Sequence, residues 1–142
     1  EQTTALNSIG EKLGALSYVN AITDVTGFGF AGHLLEMLSD TNLSASIKKE
    51  SLPIMEAAKE YAKQFVFPDN TTRNYNAQSK YITGMTDLDF ILYCDPQTSG
   101  GLLFSVEASH QKEMDEILNS HKHFFAKIGT ITPKQEKEIV FI

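Results

Sequence analysis

The sequence predicts an α+β domain, a mixed β-sheet packed with helices, and three observations lead there. Strand-like runs alternate with helical periodicities along the 142 residues, and several strand runs are joined by short hairpin-like connections. Near the end, a helix flanked by strands has the order of half a split βαβ unit.

Taken in order, Leu6, Ile9, Leu13 and Leu16 recur at helical spacing and predict a helix over residues 6–18, despite Gly10 and Gly14. Ala21-Ile22-Thr23 is short and β-capable. Phe30, Leu34, Leu35 and Leu38 make an apolar helical face over 30–38, ended by the turn-prone run Ser39-Asp40-Thr41-Asn42. Leu43-Ser44-Ala45-Ser46-Ile47 alternates like a strand with one buried face. Pro53 is placed to open a helix over 53–65, with Ile54, Ala57, Ala58, Tyr61 and Phe65 on one side. Residues 68–84 are polar and turn-rich and read as a loop. Phe90-Ile91-Leu92-Tyr93-Cys94 reads as an apolar strand stopped by Asp95-Pro96, and a second strand follows over 102–106. A polar helix over 109–119 contributes Met114, Ile117 and Leu118. The last strands are expected at 124–131 and 139–142, separated by a turn at Pro133-Lys134.

Composition narrows the function. Hydrophobic residues make up 42% and charged residues 21%, enough apolar chain for one packed core. Lys plus Arg number 12 against 18 Asp plus Glu, a net charge of -6, which disfavours nucleic acid and anionic membrane as partners. Arg73 is the single arginine, so a clamp of several arginines on phosphate is excluded, and the single Cys94 excludes a disulfide framework or a cysteine-based zinc cluster. No apolar run approaches the roughly 20 residues that span a bilayer. A cytoplasmic domain is expected. Residues 1–142 read as one domain, and Glu1 in place of an initiator Met suggests a piece of something larger.

Two glycine-rich segments carry the chemistry. Thr23-Asp24-Val25-Thr26-Gly27-Phe28-Gly29-Phe30-Ala31-Gly32-His33 holds a G-x-G-x-x-G spacing just before a helix, where backbone N–H groups and the helix dipole suit an anion. A dinucleotide site needs a clear hydrophobic strand before the first glycine, and here that strand is only about three residues long. A plain tight strand-to-helix turn explains the same glycines. Asp24 can cap that turn or hold Mg2+, but one carboxylate alone builds no metal site. The second segment, Asp95-Pro96-Gln97-Thr98-Ser99-Gly100-Gly101-Leu102-Leu103, has the composition of an anion-cradling loop yet lacks the lysine and following helix of a phosphate-binding P-loop. A tight connection between two strands is its simpler reading. Cys94 is expected to be a buried, inert thiol, and His33 a neutral, hydrogen-bonded residue in the first turn of a helix. His110, His121 and His123 read as surface residues.

Together, the two segments, in this order and separated by a stretch containing Thr72-Arg73-Asn74, resemble the carboxy-terminal half of selenophosphate synthetase (selenide, water dikinase), the domain shared with aminoimidazole ribonucleotide synthetase. The resemblance implies a mixed sheet with partial ferredoxin-like topology. It also implies an activity that converts selenide, ATP and water to selenophosphate, AMP and phosphate, in a homodimer of the full-length protein. Asp24 is then one Mg2+-binding aspartate, completed by an amino-terminal ATP-binding half absent from this chain. Thr26, Gly27 and Gly29, with Thr98, Ser99 and Gly100, would lie near phosphate or nucleotide, and no catalytic residue is placed in this chain. The sequence departs from the family pattern at Ile22, Phe30-Ala31 and Asn70. Other readings are a different ATP-using member of the same superfamily, or a non-catalytic anion- or nucleotide-binding module.

Overall fold

Two separate sheets organise the chain in the computed structural model, which describes residues 7–121 and 124–142. The expectations on Leu6 and His123 fall outside those residues. β1 (Val19–Asp24) and β4 (Leu102–Val106) form an antiparallel pair. The other sheet has the order β3-β6-β2-β5, comprising β2 (Leu43–Ile47), β3 (Ile82–Thr83), β5 (Gly129–Pro133) and β6 (Ile139–Phe141). Here β6 runs parallel to both neighbours and β5 antiparallel to β2. The helices are α1 (Ile9–Gly14), α2 (Gly29–Leu38), α3 (Glu56–Lys63), α4 (Asp69–Gln78), α5 (Asp89–Tyr93) and α6 (Gln111–Ser120). This is the expected α+β class, with mixed pairing and helices packed on sheet.

Where periodicity was strong, the elements stand where the sequence puts them: β2 and β4 match residue for residue, and α2 begins one residue early. Four expectations need correction. Residues 68–84 form α4, a short 3-10 turn over Ser79–Tyr81 and β3. The helix escapes an apolar-periodicity reading because its two buried residues, Thr71 and Gln78, are polar. Residues 90–94 are helical rather than extended: a short, wholly apolar run does not distinguish a buried strand from a buried helix. Residues 124–128 carry no strand, because their apolar side chains do not share a face. Phe125 packs toward the α1–α6 cluster, Ile128 toward the main core, and Phe124 stays in solvent. Finally, β4 and β5 lie in different sheets, so α6 crosses between sheets instead of closing half a split βαβ unit. The outer helices are also shorter than expected, with α1 ending at Gly14 and α3 starting at Glu56.

The β1–β4 ribbon stands between two apolar clusters. On one side, Leu103 joins Ala31, Leu34, Ala45, Ile47, Ile139 and Phe141 in the main core. On the other, Leu102, Phe104 and Val106 pack with Ile9, Leu13, Met114 and Leu118 beneath α1 and α6. Alternation along β4 thus divides its side chains between both cores and fixes the ribbon's register. Its ends, where the two glycine-rich segments begin, inherit that rigidity.

The start of α5 is set by Asp89. Its Oδ2 accepts from Thr86 N–H at 2.8 Å, the Thr86 hydroxyl at 2.8 Å and Lys49 Nζ at 2.9 Å. Burial pushes this carboxyl up, but the Thr86 N–H, Lys49 and the Thr86 hydroxyl together hold it below its ordinary range. A carboxyl depressed in the folded state stabilises fully above its unfolded range and loses that contribution as pH falls through the folded one. Asp89→Asn is therefore expected to cost about 1–3 kcal/mol at neutral pH and to flatten the acid limb of the stability curve. Urea denaturation across pH 3–7 checks this, and an unchanged acid limb would count against it.

Candidate functional site

The ladder between β1 and β4 does not stop at Asp24 and Leu102. Val25 N–H donates to Gly101 O and Gly100 N–H to Val25 O, both at 2.9 Å. One residue on, Thr26 O accepts from Gln97 N–H at 2.9 Å and from Gly29 N–H at 3.1 Å. The two segments singled out in the sequence are therefore one continuous structure. Gly29 is what lets them meet. Its φ is +71°, and a Cβ there would stand 2.7 Å from Cys94 C and 2.8 Å from Asp95 O. Gly27 differs: a Cβ built on it meets nothing within 4 Å.

α4 holds the joined loops from behind. Asn74 Nδ2 donates to Gly27 O and to Cys94 O, each at 2.9 Å, one carbonyl from each loop. Gln78 Nε2 donates to Phe28 O at 2.9 Å. The fully buried Thr71 hydroxyl donates to Asp95 Oδ1 at 3.3 Å, while Gln97 Nε2 reaches Asp95 Oδ2 at 2.7 Å. Burial pushes the Asp95 carboxyl above its ordinary value against the pull of those two donors. The sequence does not single out these three α4 residues. The signal was present: positions 71, 74 and 78 are spaced i, i+3, i+7, one face of a helix, but a polar face.

Asp24 is exposed and lines an open groove with Asn7, Glu11, Ile22, Thr23 and Leu102. Among the described residues no group of three His, Cys, Asp or Glu is placed to hold a metal ion. What this groove offers is two carboxylates, Asp24 and Glu11, hard oxygen donors of the kind that take one or two positions on Mg2+. Thr26 is half-buried, with Oγ1 3.1 Å from His33 Nε2. Gly27 and Phe28 are exposed, and among the described residues their amides donate to no acceptor. Thr98 is exposed and Ser99 half-buried, and neither side chain makes a hydrogen bond among the described residues. Gly100 serves the ladder.

Other sequence expectations resolve simply. Cys94 is fully buried and its thiol is pushed up to about 12 by that burial, so it is no nucleophile. The connection from Asp95 to Gly101 joins a helix to a strand, not two strands. β1 and β2 lie in different sheets, so the G-x-G-x-x-G spacing belongs to no parallel βαβ unit and the dinucleotide reading falls. His33 is buried and hydrogen-bonded to Thr26. His110 lies at the surface as expected, with one face stacked on Tyr18 at a ring-centroid distance of 4.3 Å.

Residues 5–142 match the family described as AIR synthase related protein, C-terminal domain. The chain belongs to that family. A selenide, water dikinase of Shewanella sp. (strain MR-7) is 41% identical to it over 136 residues, 95% of this chain and 39% of the relative. The protein of the same name from Shewanella baltica (strain OS223) is 40% identical, with the same coverage. This AIR synthase related domain therefore spans well under half the length of those relatives. Among solved structures, a thiamine-monophosphate kinase from Stenotrophomonas maltophilia K279a superposes with a TM-score of 0.61 at 19% identity, over 94% of this chain and 34% of that one. A thiamine monophosphate kinase from Aquifex aeolicus gives 0.51 at 13% identity, over 94% and 34%. At such identities the likeness is one of fold. No helix among the described residues of the domain is long and apolar enough to cross a membrane.

The two glycines give a paired prediction. Gly29→Ala combines a left-handed φ with backbone overlap and is expected to destabilise the domain by roughly 2–4 kcal/mol. Gly27→Ala is expected to leave stability within about 0.5 kcal/mol, because its side chain enters open space. Paired thermal and urea unfolding measurements check this; equal losses would mean that the loops do not meet as described.

Proposed function

We propose that this chain is the carboxy-terminal part of a selenide, water dikinase, a phosphotransferase that makes selenophosphate from selenide, ATP and water and releases AMP and phosphate. The observation that carries the reading is the fusion of the two glycine-rich loops into one rim. There Asp24 and the unbonded amides of Gly27 and Phe28 stand exposed at the end of a ribbon locked between two cores. Relatives of that name at about 40% identity support it.

In this reading Asp24 fits as one carboxylate of a Mg2+ shell whose remaining ligands come from outside the described residues. A Mg2+ ion held there would supply the charge neutralisation that phosphoryl transfer requires. The chain's own contribution is positional. The β1–β4 ladder fixes Asp24 at the rim, and the free amides of Gly27 and Phe28 provide donors to a phosphate oxygen. Thr98 and Ser99, adjoining them across the ladder, supply hydroxyl donors to the same cleft. The negative net charge gives the isolated chain little attraction for a polyanion, so ATP and selenide are engaged only with the amino-terminal half, in a cytoplasmic homodimer. The chain alone is expected to be inactive.

Asp24→Ala in the full-length protein is expected to abolish Mg2+-dependent AMP release from ATP and selenide while leaving the unfolding midpoint unchanged. The side chain is exposed and makes no hydrogen bond among the described residues. Full turnover in that variant would remove Asp24 from the reading. Selenide-independent phosphate release would favour another ATP-using member of the superfamily.

A further inference from the structure

His33 is the one buried imidazole at the rim, with only 6% of its surface exposed. Its Nε2 lies 3.1 Å from Thr26 Oγ1. Its Nδ1 lies 2.8 Å from Glu36 Oε2, one helical turn further on, a close approach whose angle is not that of a hydrogen bond. The exposed Phe28 ring packs 5.6 Å from the imidazole at 45°. A hydroxyl, an imidazole and a carboxylate thus stand in line, and the hydroxyl belongs to the loop that carries Asp24.

The line fixes a direction. A carboxylate oxygen 2.8 Å from Nδ1 favours the ring proton on that nitrogen through its charge, even off the hydrogen-bond axis. In the neutral ring Nε2 is then the acceptor, and the Thr26 hydroxyl gives its only proton to it. What remains on Thr26 Oγ1 is lone-pair density. Because Val25 N–H and O both continue the ladder and Val25 is buried, alternation puts the Cβ atoms of Asp24 and Thr26 on the same face of the chain, opposite Val25.

We propose that His33, backed by Glu36, is a positioning residue that turns the Thr26 hydroxyl into an outward-facing acceptor beside Asp24. Thr26 then receives a hydrogen bond from a water or ammonium donor in the ligand shell at Asp24, and does not donate to a phosphate oxygen. The inference rests on the dikinase reading for the identity of that shell. It also divides the rim by polarity: oxygen acceptors at Asp24 and Thr26, N–H donors at Gly27 and Phe28. A bound metal and its waters belong to the first part and phosphate oxygens to the second.

Two measurements on the full-length protein test it. Ring 15N NMR of the histidine-labelled, metal-free protein, with the His33 signals assigned by their loss in His33→Gln, reads the tautomer directly. A neutral ring protonated at Nδ1 is expected; protonation at Nε2 overturns the proposal whether or not the protein turns over. Second, Thr26→Val is expected to raise the Mg2+ concentration for half-maximal AMP release by about tenfold, the effect of one hydrogen bond, with Thr26→Ser recovering most of it. An unchanged Mg2+ requirement in Thr26→Val overturns the positioning role. Failure here alongside an inactive Asp24→Ala leaves the dikinase reading standing. An active Asp24→Ala removes that reading, and the tautomer still decides the arrangement of His33 and Thr26.

Discussion

One amide group joins the two halves of the rim. Asn74 Nδ2 spends both its protons on backbone carbonyls, Gly27 O from the first glycine-rich loop and Cys94 O from the second. Neither carbonyl has another partner in the loop ladder, and a carbonyl left unpaired beside a core is costly. The ladder bonds at Val25 and Thr26 bring the loops together, and Asn74 fastens them further out, at Gly27 and Cys94. Gly29 supplies the close approach that Asn74 then fastens, and Gln78 and Thr71 repeat the fastening at Phe28 and Asp95.

This arrangement leaves two backbone amides over. Most backbone groups near the rim are paired: Val25 with Gly100 and Gly101, Thr26 O with both Gln97 and Gly29. Against that background the amides of Gly27 and Phe28 stand out, exposed residues whose N–H groups find no acceptor among the described residues. Rigid scaffolding behind and free donors in front is the arrangement expected where a loop is shaped for a ligand rather than for its own stability. Among the described residues Asp24 has no two further ligands to complete a metal site, and Cys94 is sealed in the core.

Much of this was legible in the residues. The two loops were marked by their glycines, and Asp24 by its place ahead of them. β2 and β4 followed from alternation and apolar content, and α2 from its apolar face. What was not legible was α4, whose buried face is polar and therefore has no hydrophobic period. The helical state of residues 90–94 was equally hidden, since burial on every side erases the periodicity that separates helix from strand. The division into two sheets depends on pairings between residues far apart in sequence, such as Ile82 with Ile139, which no local pattern encodes. The site is thus visible as two motifs, while the element that makes them one site has the composition of a loop.

Hydrogen–deuterium exchange resolved to single amides tests the central claim, that α4 clamps two loops into one rim with free donors at its tip. The amides of Val25, Gln97 and Gly100 are predicted to be protected, those of Gly27 and Phe28 to exchange freely, and Asn74→Ala to erase the protection without unfolding the cores. Protection that survives in Asn74→Ala, or protected Gly27 and Phe28 amides in the unliganded protein, would contradict the account.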